Sequence, residues 1–142
     1  MDIIVQRWVR WGVLVVLAVP QLATGAWVVL APQSWFDDFP GFGPALVGAE
    51  PPFNRHLATD AGSAFLATGV ALAIAVIWLR RQLVMLVLAT YLASAIPHTL
   101  YHVAHEAPGL SSGEHVTNAA LLVVAGVVLL WGAWSGGRDE SR

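Results

Sequence analysis

The sequence predicts an all-α integral membrane protein, a four-transmembrane-helix bundle. Three observations predict it. Hydrophobic residues make up 57 % of the 142 residues and charged ones 11 %, well under the charged fraction of roughly a quarter in soluble domains. Four apolar runs are long enough to span a bilayer, which needs roughly 20 residues. The arginines fall between those runs in a pattern that alternates from one connection to the next.

The first run extends from about Trp11 to Ala31 without a charge. The second, from about Leu57 to Leu79, contains one charge, Asp60. The third covers about 82–103 and the fourth about 116–134. A length of 142 residues allows one domain, so 1–142 reads as a single membrane unit. Arg7 and Arg10 ahead of the first run could open a secretory leader. That run is too long for one, and Thr24-Gly25-Ala26 is a poor cleavage site, so it reads as a retained span.

Orientation follows from charge. Arg7 and Arg10, Arg80 and Arg81, and Arg138 and Arg142 share one side if all runs cross. The other side has Arg55 with Asp37, Asp38, Glu50, Glu106 and Glu114. The positive-inside rule then places both termini in the cytoplasm, N-in and C-in, in a multi-pass protein of the cell (inner or plasma) membrane. Trp8, Trp11, Trp78, Trp131 and Trp134 would mark the inner interface, and Trp27 and Trp35 the outer one.

The connections differ in kind. Arg80-Arg81 permits only a tight turn, which makes the second and third spans antiparallel neighbours. The first outer connection, Pro32 to Arg55, is long and Pro/Gly-rich, with Trp35, Phe36, Phe39, Phe42 and Phe53 among its prolines and glycines. So many aromatics point to a connection that either folds back over the outer end of the bundle, with a short interfacial helix, or rests in the headgroups. Asn54 is placed to cap the second span. Gly62, Ser63, Ala67 and Gly69 supply small residues for close helix packing.

Composition also excludes. A net charge of −2 and no basic cluster argue against nucleic acid. With no cysteine, disulfides, thiolate metal sites and iron–sulfur clusters are ruled out. The partner that remains is the lipid bilayer, with a homo-oligomer or a membrane protein partner as further expectations. All seven basic residues are arginine, and the chain is rich in Ala, Val, Gly and Leu, a composition typical of a GC-rich bacterial genome.

The polar residues inside the spans carry the functional expectation. His98, His102 and His105 are spaced four and three apart, so at about 100° per residue they share one helical face. His56, Asp60 and Ser63 do the same on the second span. Topology puts all five histidines, His115 included, near one end of the bundle. Imidazole with carboxylate suits zinc, iron, copper or manganese, and paired helices commonly build such sites. The predicted ligands are Asp60, His98 and His102, with His56 or His105 completing the set. Asp60 could instead orient a histidine, or serve only as helix-to-helix glue. Tyr91 and Tyr101 could donate hydrogen bonds nearby, and Gln21 and Thr24 are minor polar positions on the first span.

Three uses of such a site compete. A metal-bound water could attack a substrate at the membrane surface; Ser94-x3-His98-x3-His102 is similar in spacing to part of the zinc site of ceramidase-type hydrolases, which are larger, seven-span proteins. His56 and His102 could ligate haem. A protonatable histidine network without metal could serve a transporter, a sensor, a structural protein or an assembly partner, although almost no polar residues continue into the cytoplasmic half to form a transport path.

The motifs Phe36-Asp37-Asp38-Phe39-Pro40-Gly41, Pro52-Phe53-Asn54-Arg55-His56-Leu57-Ala58-Thr59-Asp60-Ala61-Gly62 and Pro97-His98-Thr99-Leu100-Tyr101-His102-Val103-Ala104-His105 resemble a group of small four-span integral membrane proteins of high-GC bacteria. The resemblance implies the same fold and location. It carries no activity and assigns no residue a role.

Overall fold

A computed structural model describes residues 3–136, with side chains described for 7–127 and for Trp131. The described residues form five helices and no strand: α1 (Ile3–Leu30), α2 (Pro32–Asp38), α3 (Arg55–Trp78), α4 (Arg81–Ala104) and α5 (Ser112–Gly136). Within these, Arg7–Leu30, Arg55–Trp78 and Arg81–Ala104 are each long and apolar enough to cross a membrane.

Local chemistry sets the boundaries. Ala31 precedes Pro32 and leaves the helical region (φ −143°, ψ 66°), because a proline ring disfavours that region for the residue before it. Pro32 then opens α2, where a missing N–H costs nothing. α2 buries Pro32 and Trp35, and its opposite face is tied together by Gln33 donating to Asp37 (3.0 Å) and Ser34 donating to Asp38 (3.1 Å). The Asn54 side chain accepts from the Leu57 N–H at 3.1 Å and caps α3. Leu79 ends that helix in the left-handed region (φ 48°), and α4 begins two residues later at Arg81. α4 continues as one helix through Pro97. Ser111 and Glu114 cap α5 reciprocally. The Ser111 N–H and hydroxyl both donate to the Glu114 carboxylate, at 2.9 and 2.7 Å, and the Glu114 N–H donates back to the hydroxyl at 3.4 Å.

Hydroxyls within the apolar helices are satisfied locally. Thr59, Ser63, Thr68 and Thr90 each donate to the carbonyl four residues earlier. Such back-bonding removes the cost of a bare hydroxyl in apolar surroundings.

α1 and α3 form the tightest pair. A Cβ on Gly25 would fall 2.5 Å from the Leu66 backbone nitrogen, one on Gly62 2.6 Å from Val28, and one on Gly69 2.8 Å from Leu22. Only glycine permits this approach, so these contacts fix both the separation of the helices and the rotation of α3 about its axis. The small residues expected to pack together divide accordingly. Gly62 and Gly69 face α1, while Ser63 and Ala67 lie on the exposed side.

Two buried clusters show the helix directions. One joins Val13, Leu14, Leu17 and Ala18 of α1 to Leu72 and Ala75 of α3 and to Val84, Val87 and Leu88 of α4. The other joins Val28 of α1, Trp35 of α2 and Ala58 of α3, with Phe36, Phe39 and Phe53 packed against it. The start of α1 therefore lies beside the end of α3 and the start of α4, an end that carries Arg7, Arg10, Arg80 and Arg81. The start of α3 and the end of α4 lie at the opposite end, which we call the histidine end.

Candidate functional site at the histidine end

His56, His98, His102, His105 and His115 all belong to the histidine end, but they separate into distinct groups. His56 and Asp60 pair with each other along α3, Nε2 to Oδ2 at 3.4 Å, with side chains 84 % and 63 % exposed. The glycine contacts with α1 cause this exposure: once Gly62 and Gly69 face α1, a helix of about 100° per residue turns Asp60 roughly 160° away.

On α4 the rings of His98 and His102 meet edge to face at 4.7 Å. Tyr101 lies edge-on to His102 at 5.4 Å and stacks on His105 at 4.5 Å. His105 is the residue at which α4 ends, its Nδ1 lying 3.0 Å from the Tyr101 carbonyl oxygen. This histidine is therefore engaged with the helix terminus. Among the described residues, no three His, Asp or Glu side chains gather closely enough to hold a metal ion. The five predicted ligands thus do not form one set: His56 and Asp60 occupy the exposed face of α3, His98 and His102 pair on α4, and His105 stacks on Tyr101. The predicted haem pair is divided in the same way, with His56 exposed on α3 and half-buried His102 on α4.

The structure adds a residue that spacing did not identify. Glu50, in the connection between α2 and α3, is close enough to His102 to act on it electrostatically, as is His115 of α5. One carboxylate oxygen of Glu50, Oε1, is buried and has no hydrogen-bond partner. Its backbone position is held from the far side of the chain. The Gly109 N–H, between α4 and α5, donates to the Ala49 carbonyl at 3.1 Å, and Ala49 and Ala107 are both buried. A Cβ on Gly109 would fall 2.8 Å from the Ala49 Cα, so this contact needs glycine. The available sequence signal was Glu50 itself, an acidic residue between Ala49 and Pro51 in an aromatic connection. Its pairing with α4 and α5 depends on a contact spanning 60 residues, which no local pattern encodes.

Further into the bundle, the Gln21 amide of α1 donates to the Tyr91 hydroxyl of α4 at 3.3 Å, part-buried. Beyond that pair, toward the arginine end, lie the buried apolar side chains of Val13, Leu14, Leu17, Leu72, Val84, Val87 and Leu88. The α4–α5 cap is polar in its own right: hydrogen bonds from the Ser111 hydroxyl and N–H hold the Glu114 carboxyl below its ordinary value. A separate depression on the α2–α3 connection is lined by Asp37, Asp38, Gly41, Phe42, Gly43 and Ala45, and includes none of the histidines.

Together, the apolar helices and the polar residues gathered at one end define the class: a helical membrane protein. Comparison of the chain with protein-family models, with curated proteins and with solved structures finds no match.

Proposed function

We propose that the chain is a four-span protein of the cell membrane, with α5 as the fourth span, both termini cytoplasmic and the histidine end extracytoplasmic. In this reading the working part is a protonatable network without metal, made by Glu50, His98, His102 and His115, in a sensor or assembly-partner protein. The carrying observation is the buried Oε1 of Glu50, which has no hydrogen-bond partner, on a carboxylate close enough to His102 to act on it electrostatically. A buried carboxylate oxygen without a hydrogen-bond partner is costly, and it persists where a neighbouring group can supply a proton or a positive charge. Histidine does so near neutral pH.

Two further observations support this reading over its competitors. The packed apolar cluster at the arginine end leaves the network open to one side of the bilayer, which disfavours a transport path through the chain. The separation of His56 and Asp60 from His98 and His102 gives the five-residue metal site no geometric support.

The test is a histidine titration by NMR in detergent or nanodiscs, on protein prepared without chelators. Glu50→Gln should change the titration of His102 and leave that of His56 as it was. Identical histidine titrations in the two proteins would overturn the network. Stoichiometric zinc, iron or copper, lost in His102→Ala, would replace it with a metal site, and a Soret band would replace it with haem.

A further inference from the structure

The exposed face of α3 calls for a partner of its own. α3 is an apolar helix of 24 residues, about 36 Å at 1.5 Å per residue and longer than the ~30 Å hydrocarbon core. Asp60 lies about 7.5 Å along the helix from Arg55, inside the apolar stretch. An ionisable side chain at that position is expensive against lipid, and helices normally turn such residues toward protein. α3 cannot do this alone, because rotation would drive Gly62 and Gly69 away from Val28 and Leu22 and bring side chains into backbone. The fold therefore holds an acid and a base, 3.4 Å apart, outward on a membrane helix.

We propose that this face of α3 is the interface between two copies of the chain. Self-complementarity identifies the occupant. The face carries both His56 and Asp60, so a two-fold axis along the bilayer normal brings the same acid–base pair against itself. Like residues then face each other at equal depth, and the partner's His56 stands about 6 Å, one helical turn, from each Asp60, so two acids and two bases gather at the axis within reach of shared hydrogen bonds. A lipid tail offers neither group, and an unrelated helix would have to present both at matching depth. The next positions along the stripe suit close approach: Ser63 and Ala67 are small and exposed, and the Ser63 hydroxyl is already bonded within α3. Val70 and Ile74, both exposed, extend the contact toward the arginine end. This proposal is independent of the Glu50 network, which lies on other elements.

The natural chain has no cysteine, so single cysteines report contacts without background. Ser63→Cys and Ala67→Cys, in the full chain in native membranes, should each give a disulfide-linked dimer of twice the chain mass on mild oxidation. Leu86→Cys, on an exposed face of α4, should stay monomeric under the same treatment. In mild detergent the unmodified chain should have the mass of a dimer, and Ala67→Leu, a change at an exposed position that leaves the α1 contact intact, should reduce it to a monomer. Equal crosslinking at positions 63, 67 and 86, or a monomeric unmodified chain, would overturn the proposal. A crosslinked product of any mass other than twice the chain would overturn the second copy as occupant.

Discussion

Gly25→Ala tests the contact on which the arrangement of α3 rests. The added methyl would lie 2.5 Å from the Leu66 nitrogen, 2.8 Å from its Cα and 3.0 Å from its Cβ. Ordinary contact begins near 3.4–4 Å, so α1 and α3 must part by about 1 Å, since helix backbone cannot fold aside as a side chain does. Overpacking of this kind costs about 1–3 kcal/mol, and the upper half of that range applies where the obstructing atoms are backbone. Opposing it is the gain of about 0.5–1 kcal/mol when alanine replaces glycine inside a helix. Gly12→Ala, also in α1, separates the two terms, because a Cβ there meets nothing within 4 Å. Both variants share the propensity gain, so the difference between them isolates the clash at about 2–3 kcal/mol. The assay is reversible unfolding in one detergent, followed by circular dichroism and tryptophan fluorescence. Gly12→Ala should match or exceed the natural chain, and Gly25→Ala should fall below it. Equal stability of the two variants would refute the close α1–α3 approach, and with it the reason Asp60 faces outward.

Two other predictions follow from single contacts. Tyr91→Phe leaves the Gln21 amide without its acceptor inside the bundle and should cost about 1 kcal/mol; Gln21→Leu in the same background should recover part of it, as a double-mutant cycle in the same unfolding assay would show. Ser111→Ala removes the hydroxyl that helps to lower the Glu114 carboxyl. Because that value is depressed on folding, the bond stabilises above the ordinary carboxylate value and is lost as pH falls through the folded one. Ser111→Ala should therefore be less stable than the natural chain at neutral pH, and the two should converge in acid when thermal midpoints are compared.

Helix positions were legible because a span is a property of composition. A run such as Arg55 to Trp78 can bury its backbone groups in lipid only by bonding them internally, so apolar length alone announces a helix. Local capping was also within reach. Asn54 before α3 is one such signal, and Ser111-x-x-Glu114 before α5 is an equally local pattern. Which face of a helix looks inward was not legible from spacing. The offsets His56–Asp60–Ser63 prove that those residues share a face and say nothing about where it points. Gly62 and Gly69, seven apart and also on one face, held that information. Gly25 of α1 completes it, and the match becomes visible only when two helices that are distant in sequence are laid together.

The same reasoning explains why the candidate site gained Glu50 and separated from Asp60. Both are carboxylates near the histidine end, and sequence favoured Asp60 because it lies within an apolar run. Position relative to the membrane and position relative to the protein interior are different quantities, however. Asp60 lies inside the span but outside the bundle, held there by glycine contacts on the opposite face. Glu50 lies outside every span, yet its Oε1 is buried, because Gly109 draws Ala49 against the α4–α5 connection. In water-soluble proteins a carboxylate that is buried is also the one removed from solvent. At the end of a membrane bundle the two conditions divide between two residues, and they call for different remedies. Glu50 calls for a proton or a cation from within the chain, and His102 is the group close enough to act on it electrostatically. Asp60 needs protein where the single chain leaves lipid, and only another molecule can provide that.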